Sequence, residues 1–393
     1  MRIAVLEPTD RGGLLHYSFQ LAEALAGRGH DVDLIAARRN ELAGRARLAR
    51  MRAVLPAAVK EMARPQSRAG YATRRAAVAA RLARGWVRIL WETRPGRYDV
   101  VLHGADIGLT PNALATLLMT VVPGRPRLVR IAHNVRAFNR WGGEDMFDTS
   151  RLGGVLLRRL YPRFDLVLVH GESSRAELQA LAEGTAVSVI PHGDERVFSA
   201  EPPPPSEEER VLFFGDWRKV KGLPDLMEAF DQLAARRPSA RLTVAGTPSP
   251  EDWDPAVLRE WARGHAGRVE LIDRYVPVED VAATFGRARV VATPYVAGYQ
   301  SGVIHLAATM ARPVVTSDVG DLPRAVDDGA TGRVVPARDP ARLADALEAV
   351  IADPDGAARM GEEARRRLLA ESSWERVAER VEAELGRLQD SNG

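Results

Sequence analysis

The chain has 393 residues, 46% of them hydrophobic and 27% charged, with no cysteine and a formal net charge of +3, so it is long enough for two domains with separate cores. The absence of cysteine excludes a disulfide framework, thiolate metal sites and thiol catalysis, and points to a reducing compartment. Met1 runs straight into a strand-like segment without the charged and apolar regions of a leader, and no uninterrupted apolar run is long enough to span a bilayer, so a cytosolic protein is expected.

In chain order, short Val/Ile/Leu-rich runs alternate with longer helical patterns, the sequence form of successive βαβ units and of an α/β fold with parallel sheets. Strands are expected at Arg2 to Leu6, Asp31 to Ala36, Tyr98 to His103, Arg127 to Ile131, Asp165 to His170 and Ala186 to Ile190. The run from Glu201 to Glu209 carries four consecutive prolines, which fix φ and remove backbone donors, so it reads as a linker between a first domain, 1–200, and a second, 210–372. Further strands are expected at Arg210 to Phe214, Ala240 to Ala245, Val269 to Ile272, Arg289 to Thr293 and Pro313 to Thr316. Residues 340–390 read as helical, with Trp374, Val377, Val381 and Leu385 on one packing stripe. In open parallel sheets ligands bind beyond the carboxyl ends of the strands, so two such halves predict an active-site cleft there.

Charge is unevenly placed. From Arg38 to Arg97 fifteen arginines and one lysine stand against three glutamates, a net +13 that leaves −10 for the remainder. Within this segment Met51, Val54, Leu55, Ala58, Val59 and Met62, and then Val78, Leu82, Trp86, Ile89 and Leu90, fit two amphipathic helices with arginines opposite. A solvated helical face is one reading. The other is a contact with an anionic membrane or an anionic acceptor, because so many like charges repel one another without a negative neighbour.

Four loops carry residues suited to chemistry. Gly12-Gly13 lies between the first strand and a helix and can present bare N–H groups to an anion or a sugar, although a tight turn also explains it. Phe214 to Leu223 repeats that context and adds Arg218 and Lys221 just before a helix, a pairing of cations and helix N-terminus that fits a diphosphate. His133-Asn134 follows an interior strand; a lone histidine, like His16 or His192, is otherwise a satisfied structural residue. Pro294 to Val303 is a Gly- and polar-rich loop whose Ser301 and backbone donors suit a phosphate. Asp31-Val-Asp33 has the form of a metal-diphosphate ligand but sits at a strand start and reads as structural, so metal-independent chemistry is expected, with no metal site and no nucleic-acid partner.

Read together, these motifs resemble glycosyltransferase family four over nearly the whole chain. Gly12-Gly13 and Gly27-Arg-Gly-His-Asp-Val32 are similar to that family's amino-terminal glycine loop and second-strand start, and Ile190-Pro-His-Gly-Asp194 with Phe198 to the close of its first domain. Phe214-Gly-Asp-Trp-Arg-Lys-Val-Lys-Gly-Leu223 resembles the loop whose Arg and Lys hold the donor diphosphate, and Tyr275-Val-Pro277 and Pro294-Tyr295 through Gln300-Ser-Gly-Val303 resemble the loops at the base and phosphates. Pro313 to Gly320, Asp328 to Gly332 and Ser373-Trp374 match later elements. The family's paired glutamates are absent: their places fall near Gly298 and Leu306.

The resemblance implies a GT-B fold, two Rossmann-like doubly wound domains facing each other across a cleft, with 373–393 as a helix crossing back to the first. It implies a retaining, metal-independent transferase moving a sugar from a nucleoside-diphosphate sugar, a UDP-sugar first and a GDP-sugar second, to an acceptor hydroxyl; no cofactor is needed because the nucleotide sugar is a substrate. His133, Arg218 and Lys221 inherit catalytic roles. Gly12, Gly13, Gly215, Tyr275, Val276, Pro294, Tyr295, Ser301, Gly302 and Val303 inherit donor contacts, and His16, Asn134 and Arg136 are expected at an acceptor that is a sugar, a lipid-linked sugar or a small metabolite. A sugar-nucleotide epimerase, a phosphorylase and a catalytically silent partner subunit are the competing readings.

Overall fold

The computed structural model describes all residues except 57–79, 82, 105–109, 137–150, 251, 299 and 391–393. The described residues up to Ile190, together with Trp374 onward, form one compact unit, and Pro191–Ser373 form a second.

In the first unit β1 (Arg2–Glu7), β2 (Asp31–Ala37), β3 (Arg50–Leu55), β4 (Val100–His103), β5 (Arg127–Ile131), β6 (Leu166–Val169) and β7 (Val187–Val189) form a seven-stranded sheet in the order β3-β2-β1-β4-β5-β6-β7. Every pairing is parallel, with Arg2 opposite Asp31 and Ile3 opposite Val100 around the central strand. Strands buried on both faces read as continuous apolar runs, and Ile3 to Leu6 are fully buried. The helices α1 (Gly13–Gly27), α2 (residues 83–92), α3 (Thr110–Val121), α4 (Arg151–Leu160) and α5 (Glu172–Leu181) accompany this sheet.

The basic segment departs from its reading as two amphipathic helices. Residues 50–55 are the edge strand β3, because strand geometry turns Arg50 and Arg52 to one face, where Arg50 Nε donates to Asp33 at 2.8 Å and Arg52 Nη2 to the buried Glu92 at 2.9 Å. Ala58, Val59, Met62, Val78 and Leu82 lie outside the described residues. Residues 83–92 are helical as expected, but Trp86 and Ile89 are buried in the core and Leu90 packs against it. Among the described residues, four of the arginines pair with acidic side chains of the chain: Arg50 with Asp31 and Asp33, Arg52 with Asp33 and Glu92, and Arg88 and Arg97 with Glu92. Tyr98 donates to Asp33 at 2.6 Å, so Asp31-Val-Asp33 is a structural ion-pair node.

The second unit holds β8 (Arg210–Phe214), β9 (Arg241–Ala245), β10 (Val269–Ile272), β11 (Val290–Thr293), β12 (Val314–Ser317) and β13 (Gly332–Val335), in the order β10-β9-β8-β11-β12-β13 and all parallel. Its helices are α6 (Leu223–Arg236), α7 (Pro255–Gly264), α8 (Val278–Gly286), α9 (Gly302–Thr309), α10 (Pro340–Ala352) and α11 (Pro354–Ser372). The strand β13 extends the expected set by one. Gly332 opens it where a Cβ would lie 2.2 Å from the Val314 carbonyl oxygen, so this close pairing requires glycine.

Residues 191–200 group with the second unit and not with the first domain, where the sequence reading placed them. The Glu195 N–H donates to Thr309 Oγ1 at 3.0 Å, and Phe198 packs on an apolar cluster of that unit. The proline run is likewise bound to it: Arg312 donates to the carbonyls of Pro203 and Pro204, and Arg289 to those of Ser206 and Glu207. The last helix, α12 (Trp374–Asp390), belongs to the first unit, with Trp374, Val377, Val381 and Leu385 buried on one stripe. Arg28 and His30, following α1, pair with its Glu382 at 2.5 Å and 3.2 Å.

Candidate functional site

In the second unit the loops after β8 and β11 are interlocked. Gly222 caps α6 at φ +68°, and a Cβ there would lie 1.7 Å from the Pro294 carbonyl oxygen, so only glycine permits this approach. The Val296 N–H donates to Val220 O at 2.9 Å, joining the two loops through the backbone. The Lys221 ammonium sits 3.9 Å from the centre of the Tyr295 ring, a cation–π contact that holds it beside the start of α6. The Tyr295 hydroxyl lies 3.0 Å from Ser301 Oγ, which in turn accepts the Val303 N–H and caps α9. Lys221, Pro294, Tyr295, Ser301, Gly302 and Val303 are thereby brought together. Two helix starts and a fixed cation make a setting for an anion.

Arg218 precedes the short turn that leads into α6. Its Nε lies 3.7 Å from Asp252, whose Oδ2 also accepts the Lys219 N–H at 2.9 Å. Trp217, fully buried, anchors the loop through its backbone N–H, which donates to Thr247 O at 2.8 Å. Gly215 takes φ +127° beside Gly246, where a Cβ would lie 1.9 Å from the Gly215 carbonyl oxygen, so β8 and β9 end in a close backbone contact. Tyr275 is half-buried after β10, whereas Val276 lies in an apolar cluster with Tyr295, Ile304 and Leu306. Leu306, 3% exposed, fills with core packing the place where the family pattern has its second glutamate.

In the first unit the carboxyl end of β1 leads to Gly12, at φ +89°. Its N–H donates to Glu41 Oε1 at 2.6 Å, and the same oxygen lies 2.7 Å from His16 Nε2. His16 and Gly12 therefore meet at one carboxylate, so the Gly12 amide expected at the donor is engaged within the chain, while Gly13 begins α1 with open space around a would-be Cβ. His133, after β5, is buried and sits among rings: Tyr17 meets it edge-on at 4.6 Å between centroids, and His170, after β6, lies 4.9 Å away. Tyr17 also contacts His170 at 5.0 Å and Trp374 of α12 at 5.0 Å. Burial raises the Tyr17 phenol far above its ordinary range, so it stays neutral. Arg136 Nε donates to Glu177 at 2.8 Å, and Asn134 is half-buried beside it.

His192 lies elsewhere, in the second unit. It stacks on His305 at 4.7 Å, and burial lowers its pKa to about 4.

Sequence reasoning passed over Glu41, Tyr17, His170 and Asp252. His170 had a detectable signal, a polar residue ending a buried parallel strand, the position of His133 one strand earlier. Glu41 and Asp252 lie in loops far from their partners in sequence, and no local pattern marks them.

Two all-parallel sheets with glycine-bearing strand-to-helix loops define a GT-B fold, and solved structures share it. Sucrose-phosphate synthase from Thermosynechococcus elongatus aligns over 100% of both chains at 19% identity with a TM-score of 0.75. Anabaena HepE in complex with UDP and glucose aligns over 98% of this chain and 100% of its own at 17% identity with a TM-score of 0.71. A model described as "Glycosyltransferase Family 4" matches residues 11–193, and one described as "Glycosyl transferases group 1" matches 208–353. The chain belongs to glycosyltransferase family 4. Among curated relatives it is 34% identical to glycogen synthase of Mycobacterium tuberculosis over 200 residues, 49% of this chain and 46% of that protein. It is 27% identical to D-inositol 3-phosphate glycosyltransferase of Corynebacterium efficiens over 256 residues, 60% of each. The chain thus spans about half the length of the first of these relatives.

Proposed function

We propose that the protein transfers a sugar from a nucleoside-diphosphate sugar, a UDP-sugar before a GDP-sugar, to an acceptor hydroxyl, with retention at the anomeric carbon and without a divalent metal. The observation that carries this reading is the interlocked pair of loops that sets Lys221 on Tyr295 beside the starts of α6 and α9, with Arg218 adjacent. During transfer negative charge grows on the leaving diphosphate, and donors fixed before the reaction stabilise it without reorganising. Arg218, Lys221 and the Gly302 amide take that role, the Val303 amide being engaged by Ser301 Oγ. Gly215 lets the β8 loop approach the phosphates closely, and Tyr275 and Val276 flank the base. Leu306 brings no carboxylate to the ribose. HepE, with UDP and glucose in its complex, supports the choice of base.

In the first unit His133, steadied by Tyr17, holds a hydroxyl of the transferring sugar; Gly13 gives close backbone access, and Asn134 and Arg136 border the acceptor. On the retaining course the donor phosphate accepts the acceptor's hydroxyl proton, and no protein nucleophile is required. A panel of nucleotides and nucleotide sugars in a thermal-shift assay, followed by turnover with the stabilising donor, tests this reading, since a ligand selective for the folded state raises its stability. Epimerisation of the donor without acceptor, or dependence on inorganic phosphate, would redirect it to the rival enzymes.

Association with an anionic membrane belongs to the same proposal, through a different face of α2 from the one expected. Trp86 and Ile89 are core residues, so the surface passes to the other side of α2, where Val87 and Trp91 are 68% and 58% exposed. They share a helical face with Arg84 and Arg88, and the Arg94 guanidinium lies 4.6 Å over the Trp91 ring. No helix among the described residues is long and apolar enough to cross a membrane.

A further inference from the structure

The loop between β8 and α6 is braced from the side of β9 as well as from that of β11. Trp217 pairs with Pro248 in an isolated parallel bridge, which lays the chain after β9 alongside this loop. That chain then turns tightly. The N–H groups of Asp252 and Trp253 both donate to Ser249 O at 3.0 Å, and Asp254 caps α7 by accepting the Ala256 N–H at 2.9 Å. Asp252 is therefore fixed between a turn and a helix cap. Its Oδ2 reaches the β8 loop twice, accepting the Lys219 N–H at 2.9 Å and lying 3.7 Å from Arg218 Nε. The Arg218 and Asp252 side chains are 20% and 16% exposed, so the pair is partly shielded from water.

We propose that Asp252 is a positioning residue, which holds the Arg218 guanidinium at its Nε edge and the Lys219 amide beside it, so that Arg218 is set for the donor diphosphate before the donor arrives; this role rests on the donor reading of the β8 loop. The physical reason is order. A long arginine side chain gives up much rotameric freedom when it is brought to one geometry, and a carboxylate that holds it beforehand takes that loss out of the binding step. Placement matters most for a group that must meet charge as it develops. The carboxylate also carries a charge of the same sign as a phosphate, and that effect runs the other way. A loop that worked by net charge alone would bind a diphosphate better without Asp252. A loop that works by placement binds it worse, so the sign of the effect decides between them.

The first arm of the test needs no ligand. The Arg218 Nε–H resonance, assigned by its loss in Arg218→Ala, is followed in the full chain. Asp252→Asn keeps an oxygen for the Lys219 N–H but not the charge; it should shift this resonance and speed its exchange with water. In the second arm UDP is titrated into the wild type, Asp252→Asn, Arg218→Ala and the double variant. Asp252→Asn should bind UDP at least fivefold more weakly. The double variant should bind within about twofold of Arg218→Ala, because a residue that acts through Arg218 has nothing left to place once that side chain is gone. Equal or tighter binding by Asp252→Asn, or losses that multiply in the double variant, overturns the proposal. Asp254→Ala, which removes the α7 cap two residues on, should lower the melting temperature and leave UDP affinity within about twofold of the wild type. A loss of affinity there equal to that of Asp252→Asn would make Asp252 a support for its own loop and likewise overturns the proposal. The two failures are told apart by the pair of arms: a wild type that binds no UDP, although its Arg218 resonance answers to Asp252→Asn, counts against the donor reading, whereas normal UDP binding with an unmoved resonance overturns the role of Asp252 alone.

Discussion

Replacing Gly222 by alanine strikes the point where the two phosphate-side loops meet. The new Cβ would stand 1.7 Å from Pro294 O and 2.8 Å from its carbonyl carbon, and no rotamer relieves a clash between backbone atoms and a Cβ. The φ of +68° adds a left-handed penalty of about 1–2 kcal/mol. Parting the loops then sacrifices the Val296 N–H bond to Val220 O, about 0.5–1.5 kcal/mol, and the Lys221–Tyr295 contact, about 0.5–2 kcal/mol. Together these come to about 2–5 kcal/mol, which lowers the melting temperature of a unit this size by roughly 4–20 °C. Gly264→Ala, at the end of α7 where a Cβ meets nothing within 4 Å, is the control and should melt like the wild type. Calorimetric melting and titration with UDP should show Gly222→Ala both less stable and at least tenfold weaker in nucleotide binding. A variant that melts with the wild type and binds UDP equally would refute the claim that this contact shapes the phosphate side.

Arg218→Ala should reduce turnover roughly a hundredfold or more while the protein stays folded by circular dichroism, as expected for a preorganised charge stabiliser; unchanged turnover removes the assignment. Turnover should also survive chelation of divalent ions, and abolition by chelator with rescue by magnesium or manganese would contradict the metal-free reading. Stability should fall in acid because two buried histidines resist protonation: burial, with Arg130 adjacent, lowers His103 to about 3, and burial lowers His192 to about 4. For a base whose folded pKa is depressed, the contribution is complete above the ordinary value of 6.5 and fades as pH drops towards the folded one, so at pH 5 each histidine forfeits about 2 kcal/mol. Urea titrations at pH 7.5 and pH 5 check this, and equal midpoints would refute it. Trp91→Ala should weaken co-sedimentation with anionic vesicles while Trp86, inside the core, governs stability; recovery equal on neutral and anionic vesicles and insensitive to salt would end the membrane proposal.

Much of the architecture is legible in the chain because parallel strands buried on both faces leave an unmistakable apolar record. The runs Arg127–Ile131, Arg210–Phe214 and Val269–Ile272 form strands with the expected bounds. The basic segment misled for a physical reason. Residues 50–55 form an edge strand whose arginines find acids on distant elements, and an apolar pattern cannot reveal such partners. Prolines similarly marked a break in regular structure without telling to which side the break would adhere; Arg289 and Arg312 decide that. In the candidate site the glycine loops announced themselves, because close backbone approaches restrict Gly222 to one residue type. Side-chain groupings such as His16 with Glu41, or Tyr17 with His133 and His170, depend on loops returning to the same strand ends and appear only once the chain is folded.

The central claim is glycosyl transfer from a nucleotide sugar, and one NMR-monitored incubation tests it most directly. The full chain is mixed with UDP-glucose and a set of polyol and sugar acceptors, beside Arg218→Ala as control. The account predicts release of UDP matched by a new glycoside carrying the α configuration of the donor, with the variant strongly slowed. Donor left intact with every acceptor, converted to an epimer, or consumed equally well by Arg218→Ala would contradict it.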